Sequence, residues 1–287
     1  MKKRPFLFFL LIAVLMACTY SLPVSLLGTP QGGSQDTPFP PTFMPVPLTA
    51  TPIAAPGLPC RIAYIHEDGD VYFRNCDGSG VRQVTFLGSV FLDAGSYSLT
   101  WSPDGQSIVF PSTHERQTGD GPSLYIIQMD GSNLTRLTFG DRHDKSPAWS
   151  PDGLRIAMHR NCTLVTMAPD GSDEQVIVSG TEICPNTIAW SPDSQQLAFV
   201  SWHDPFPAEL NFIVYVVNRD GSNLREIGII EDGMDPTWSP DGTRIGFDDL
   251  GSGEGAYLLD PDGIGAPEPV ASIPPSWHHW CWPQWGR

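Results

Sequence analysis

The sequence predicts an all-β fold, a β-propeller of five four-stranded blades rather than six, and three observations predict it. The first is a repeated phrase. Trp149-Ser150-Pro151-Asp152-Gly153 recurs as Trp101-Ser102-Pro103-Asp104-Gly105 and Trp238-Ser239-Pro240-Asp241-Gly242, with a variant at Trp190-Ser191-Pro192-Asp193-Ser194 and a cut-off copy at Pro283-Gln284-Trp285-Gly286. Successive tryptophans lie 48, 41, 48 and 47 residues apart. A near-constant period of that length in strand-rich units is the sequence signature of propeller blades. The second is a partner phrase in the same units, Asp130-Gly131-Ser132-Asn133, Asp170-Gly171-Ser172 and Asp220-Gly221-Ser222-Asn223; Asp-Gly between apolar runs is a strong hairpin signal. The third is that short apolar and β-branched runs fill the space between these phrases.

The chain opens on a targeting segment. Lys2, Lys3 and Arg4 precede an unbroken apolar stretch over 6–17, too short to span a bilayer comfortably. It ends in Leu15-Met16-Ala17-Cys18, which resembles a bacterial lipobox. That resemblance implies cleavage after residue 17, a lipid on Cys18 and a bacterial envelope location, lipid-anchored on the periplasmic side or the cell surface. Residues 18–59 are rich in Pro, Thr, Ser and Gly with almost no charge, so they cannot bury enough apolar surface to fold. They read as a disordered tether for a propeller spanning 60–287.

The propeller units then follow in order. The first has strands at 61–65, 71–74 and 81–86 but lacks an opening Trp strand. The second adds 107–110, 124–127 and 134–137 to its Trp101 strand, and the third adds 156–158, 164–167 and 175–178 to Trp149. The fourth has 197–200, 212–217 and 224–227 after Trp190; the fifth has 245–247, 256–259 and 269–273 after Trp238. The spare C-terminal copy, 283–285, is expected to complete the first blade and so join the two ends of the ring. Within each Trp phrase, Ser accepts local backbone hydrogen bonds, Pro presets φ, and Gly supplies a positive φ. Ser194 stands where Gly is expected, which predicts strain or a different bulge at that turn.

These phrases resemble the TolB-type, WD-like propeller repeat, related to the propellers of tricorn and prolyl-oligopeptidase-type peptidases. The resemblance covers residues 60–287. It implies the fold and says little about function. The α/β domain that precedes the propeller in TolB and the hydrolase domain of the peptidases have no counterpart in the sequence, and no Gly-x-Ser-x-Gly elbow occurs.

The net charge of −16, from 16 basic and 32 acidic residues, excludes nucleic acid as a partner. In an up-and-down blade the Trp-Ser-Pro-Asp-Gly and Asp-Gly-Ser turns share one face. The loops between second and third strands, and the crossings between blades, share the other. Every histidine falls on that second face, as do the longer loops at 112–123 and 201–211. The candidate ligand- or partner-binding residues are therefore His66, Arg142, His143, Asp144, His203, Asp204, Trp277, His278, His279 and Trp280. The tryptophans at 277, 280 and 282 suit stacking on a ligand and equally suit packing of the closing segment. No catalytic residue, cofactor or metal is expected, because no metal-ligand spacing is present. Cys162 with Cys184, and Cys60 with Cys76, are the candidate disulfides, leaving Cys281 over. The expected role is a monomeric, membrane-tethered binding module for an envelope protein, small ligand or glycan. The alternative is a hydrolase or lyase using His and carboxylates at the channel mouth, with or without a metal.

Overall fold

A computed structural model describes residues 61–66, 68–88, 90, 99–115, 121–140, 142–180, 183–202, 211–231, 235–249, 255–263 and 267–269. The calls on Cys18, the tether, Cys60, His203, Asp204, the stretch 277–282 and the closing copy at 283–285 lie outside the described residues. Among the described residues the chain is all-β, with no helix.

Among these residues five antiparallel sheets form, each from strands consecutive in sequence. The first has three strands, β1 (Arg61–Ile65), β2 (Val71–Asn75) and β3 (Arg82–Gln83). The second has β4 (Thr100–Trp101), β5 (Ser107–Ser112), β6 (Ser123–Gln128) and β7 (Thr135–Arg136). The third has β8 (Asp144–Trp149), β9 (Ile156–Arg160), β10 (Thr163–Met167) and β11 (Gln175–Val178). The fourth has β12 (Cys184–Trp190), β13 (Gln196–Trp202), β14 (Asn211–Asn218) and β15 (Arg225–Glu231). The fifth has β16 (Thr237–Trp238), β17 (Ile245–Asp249), β18 (Gly255–Leu259) and β19 (Glu268–Pro269).

The core lies between consecutive sheets. Side chains alternate across a strand, and the apolar runs of the middle strands serve both faces. Ile108 and Phe110 of β5 pack with Ala63, Val71 and Phe73 of the first sheet. Val109, between them, packs with Ile156, Met158 and Met167 of the third. Leu164 meets Leu197 and Phe199, and Val214 and Val216 meet Ile245 and Phe247. The second, third and fourth sheets are thus covered on both faces, which is why their middle strands read as continuous hydrophobic runs and not as alternating ones.

The turn phrases close as their chemistry demands. Ser150 Oγ accepts from the Arg155 backbone N–H at 2.9 Å and donates to Asp152 Oδ1 at 2.6 Å. Gly105, Gly153 and Gly242 have φ of 66°, 76° and 72°. Ser194 takes the same conformation at φ 60°, and its hydroxyl accepts the backbone N–H of Asp152 in the preceding unit at 3.0 Å. The tryptophans tie sheet to sheet. Trp190 Nε1 donates to the Ala148 carbonyl at 3.0 Å, and Trp238 Nε1 to the Ala189 carbonyl at 3.3 Å.

Some strand limits differ from expectation. Of 81–86 only Arg82–Gln83 forms a strand; beyond it the Val84 and Thr85 N–H groups converge on the one Val71 carbonyl, at 2.8 and 3.4 Å, which ends the ladder. β9 runs two residues further than expected and takes His159 and Arg160 into the sheet, because Arg160 finds Asp144 opposite it across the ladder.

Candidate functional site

The histidine-bearing ends of the strands offer three clusters. The first lies at the crossing into the third sheet. Asp144 opens β8 and is 1% exposed. Its carboxylate accepts from Arg160 Nε at 2.5 Å and Nη2 at 3.2 Å, while the same guanidinium donates to Glu174 at 2.7 and 2.8 Å. The Arg160 hydrogen bonds hold the Glu174 carboxyl below the usual carboxylate range against the opposing effect of burial. Asp144 therefore does not stand free as a ligand-binding carboxylate: it is consumed in a buried ion pair, which desolvation would otherwise forbid. Its neighbours are more open. Arg142 is about half exposed and stands 3.5 Å from Glu174. The His143 ring lies over Gly121, where any Cβ would fall 2.4 Å from it, and the His143 backbone N–H donates to Asn161 Oδ1 at 3.3 Å. Only glycine at 121 leaves room for that imidazole.

The second cluster is the β1–β2 turn. His66 Nδ1 lies 3.2 Å from Asp68 Oδ2, and its ring lies 4.9 Å from that of Tyr72. The Tyr72 hydroxyl donates to the same carboxylate at 2.7 Å. That bond is the main reason the Asp68 carboxyl sits below its usual range and the Tyr72 phenol is pushed up to about 12.

The third cluster holds His159, Cys162 and Cys184. The two cysteines form a disulfide joining the β9–β10 turn to the first residue of β12. Cys76 is also disulfide-bonded. His159 is 7% exposed, and its Nε2 accepts the Cys162 backbone N–H at 2.9 Å. Burial, with help from Lys145 and His143, pushes the imidazole down to about 4.

On the opposite face a shallow cavity is lined by Asp193, Gln195, Asn218, Arg219 and Asp220, and most of the acids there serve turns. Asp77, Asp130, Asp170 and Asp220 each hold the backbone N–H, and three of them also the hydroxyl, of the serine two residues on. Serine hydrogen bonds keep all four carboxyls below their usual range. These acids complete turns.

Of the sequence candidates, Arg142, His143 and Asp144 come together, and His66 forms a separate cluster. Sequence reasoning missed Arg160 and Glu174. Their signal was faint: an arginine at the end of an apolar strand, in register with the acid that opens the preceding strand.

No family model matches the chain. It is similar to an uncharacterised protein of Agrobacterium fabrum, 30% identical over 165 residues, 53% of this chain and 54% of that protein. The chain thus spans about half the length of this relative. Among solved structures it is similar to one assigned to TolB from Agrobacterium tumefaciens, with TM-score 0.53, 24% identity, and 70% and 69% of the two chains covered. It is also similar to TolB from Acinetobacter baumannii, with TM-score 0.55, 15% identity, and 71% and 49% covered. An oligogalacturonate lyase in complex with manganese has TM-score 0.55, 14% identity, and 76% and 63% covered. The fold is a TolB-like β-propeller.

Proposed function

We propose that this TolB-like β-propeller is a binding module of the bacterial envelope, tethered by a lipid on Cys18 through the 18–59 linker, and that it holds a protein or small ligand at the face carrying the blade crossings. The observation that carries the reading is the contrast between the two faces. On the turn face the carboxylates are occupied by their own serines. On the crossing face Arg142 stays half exposed next to His143 in the chain, and it stands 3.5 Å from the exposed Glu174, which in turn caps the buried Asp144–Arg160 pair. A cation and an imidazole on a rigid base suit an anionic or polar group of a partner.

Two experiments test this. The full chain is used to capture partners from envelope extract, with an Arg142→Ala/His143→Ala variant beside it. The variant should recover at most a tenth as much of the same partner at unchanged melting temperature. Substitution of Asp170 and Asp220 should leave capture intact; the reverse pattern puts the site on the turn face. For the tether, Cys18→Ser should shift the protein from the membrane to the soluble fraction. If it stays membrane-bound at unchanged mass, the anchor is elsewhere.

The second reading, a hydrolase or lyase, is supported by the likeness in fold to the oligogalacturonate lyase. Turnover of oligogalacturonate by the purified chain, with and without manganese, separates it from the binding reading.

A further inference from the structure

We propose that reduction of the Cys162–Cys184 disulfide opens a zinc site, formed by the two thiolates and His159 Nε2, that couples the redox state of the protein to the junction of its third and fourth sheets. The three donor atoms already lie within 4.8 Å of one another, with Cys184 Sγ 3.9 Å from His159 Nε2. Around one tetrahedral zinc, with Zn–S near 2.3 Å and Zn–N near 2.0 Å, a sulfur and a nitrogen stand about 3.6 Å apart and two sulfurs about 3.8 Å. The nitrogen-to-sulfur spacing is therefore close to the required one, and the two sulfurs need only part once their bond is broken.

The imidazole is prepared for this role. Because Nε2 accepts the Cys162 N–H at 2.9 Å, the ring proton is on Nδ1 and the lone pair faces the cysteines. Nδ1 is buried and has no hydrogen-bond partner among the described residues. A buried ring that gives up one of its hydrogen bonds is a cost without return in a purely structural role. Metal binding would exchange the Cys162 N–H contact for coordination. Cys162 lies in the β9–β10 turn and Cys184 begins its strand, so both sulfurs sit at the ends of elements and not within them.

The chemistry balances with a dithiol as reductant. The disulfide takes up two electrons and two protons and becomes two thiols, while the dithiol leaves as its own disulfide. Zinc then displaces both thiol protons to solvent and takes the neutral imidazole as third ligand, with a water in the fourth position. The oxidised pair offers no thiolate, so the disulfide form is the closed state of the site.

The full chain is reduced with excess dithiol, desalted without oxygen and titrated with zinc against a chromophoric chelator. Because other cysteines are reduced too, the reading is a difference. Reduced wild type should bind one zinc more than reduced Cys162→Ser/Cys184→Ser, and His159→Ala should weaken that zinc at least about tenfold. Oxidised wild type should lack it. Equal stoichiometry in wild type and the double serine variant, wild-type affinity in His159→Ala, or equal binding by oxidised protein each overturn the proposal. If a variant does not fold, X-ray absorption of zinc-loaded, reduced wild type decides. Sulfur and imidazole scattering at one site supports the assignment, and an oxygen-only or sulfur-only shell overturns it.

Discussion

Ser194 shows how one residue can carry two opposed terms. A side chain at φ 60° costs about 1–2 kcal/mol that glycine would not. The hydroxyl recovers part of that by taking the Asp152 N–H of the neighbouring unit. Ser194→Gly trades one effect for the other and should change stability by less than about 1 kcal/mol. Ser194→Ala keeps the strain and loses the bond, so it should cost about 1–2 kcal/mol more in a urea melt. Arg160 is a sharper case. Replacing it by Met leaves Asp144 buried without its cation and should cost about 3–5 kcal/mol. Glu174 is depressed by Arg160, so its contribution is complete above the ordinary carboxylate range and is lost as pH falls through its lower folded value. Stability of Glu174→Gln should therefore fall less steeply in acid than that of wild type. His159 behaves in the same direction for a different reason. Burial holds its folded value near 4 against an unfolded value near 6.5, so the unfolded chain takes the proton first. Its contribution is complete above about pH 6.5 and falls by about 2 kcal/mol between pH 7 and 5. A His159→Gln variant should lack that part of the slope.

At the scale of the element, the inner Trp strands act as links between sheets. Trp190 and Trp238 donate to the carbonyl just before the preceding unit's tryptophan. Trp149 breaks the series. Its backbone N–H goes to Thr100 Oγ1 at 3.3 Å, and its indole N–H is buried without a partner among the described residues. Removing a satisfied donor costs about 1 kcal/mol, whereas removing an unsatisfied one costs nothing for the bond. Trp190→Phe should therefore lower the melting temperature more than Trp149→Phe, although both replace the same side chain in the same phrase. Identical effects would mean that the indole hydrogen bonds contribute little.

At the scale of the whole molecule, the open question is closure. The first sheet has three strands, and among the described residues β1 pairs only with β2. The sequence supplies one spare inner-strand copy at 283–285. If that copy pairs with β1, deletion of 282–287 removes a strand and a buried tryptophan, at a cost of about 3–5 kcal/mol for the aromatic alone. A truncated chain that melts with wild type would show that 283–285 does not complete the first blade.

The all-β fold, the strand order within each sheet and the turn chemistry were legible in the chain because each is local: a Ser-Pro-Asp-Gly turn closes through atoms within five residues of one another, and up-and-down strands pair with their sequence neighbours. The state of the individual site residues did not follow. Asp144 looked like its neighbours Arg142 and His143, yet it is buried against an arginine sixteen residues on. His159 looked like a loop residue and became part of a strand beside a disulfide that spans two sheets. Burial and ion pairing depend on what the rest of the chain brings alongside a residue, and in a propeller that neighbour stands on the adjacent strand, as Arg160 does for Asp144, or in the neighbouring unit, as Asp152 does for Arg219. A period in the sequence announces that such units stack; only the stacked structure decides which charges are spent between them and which remain for a partner.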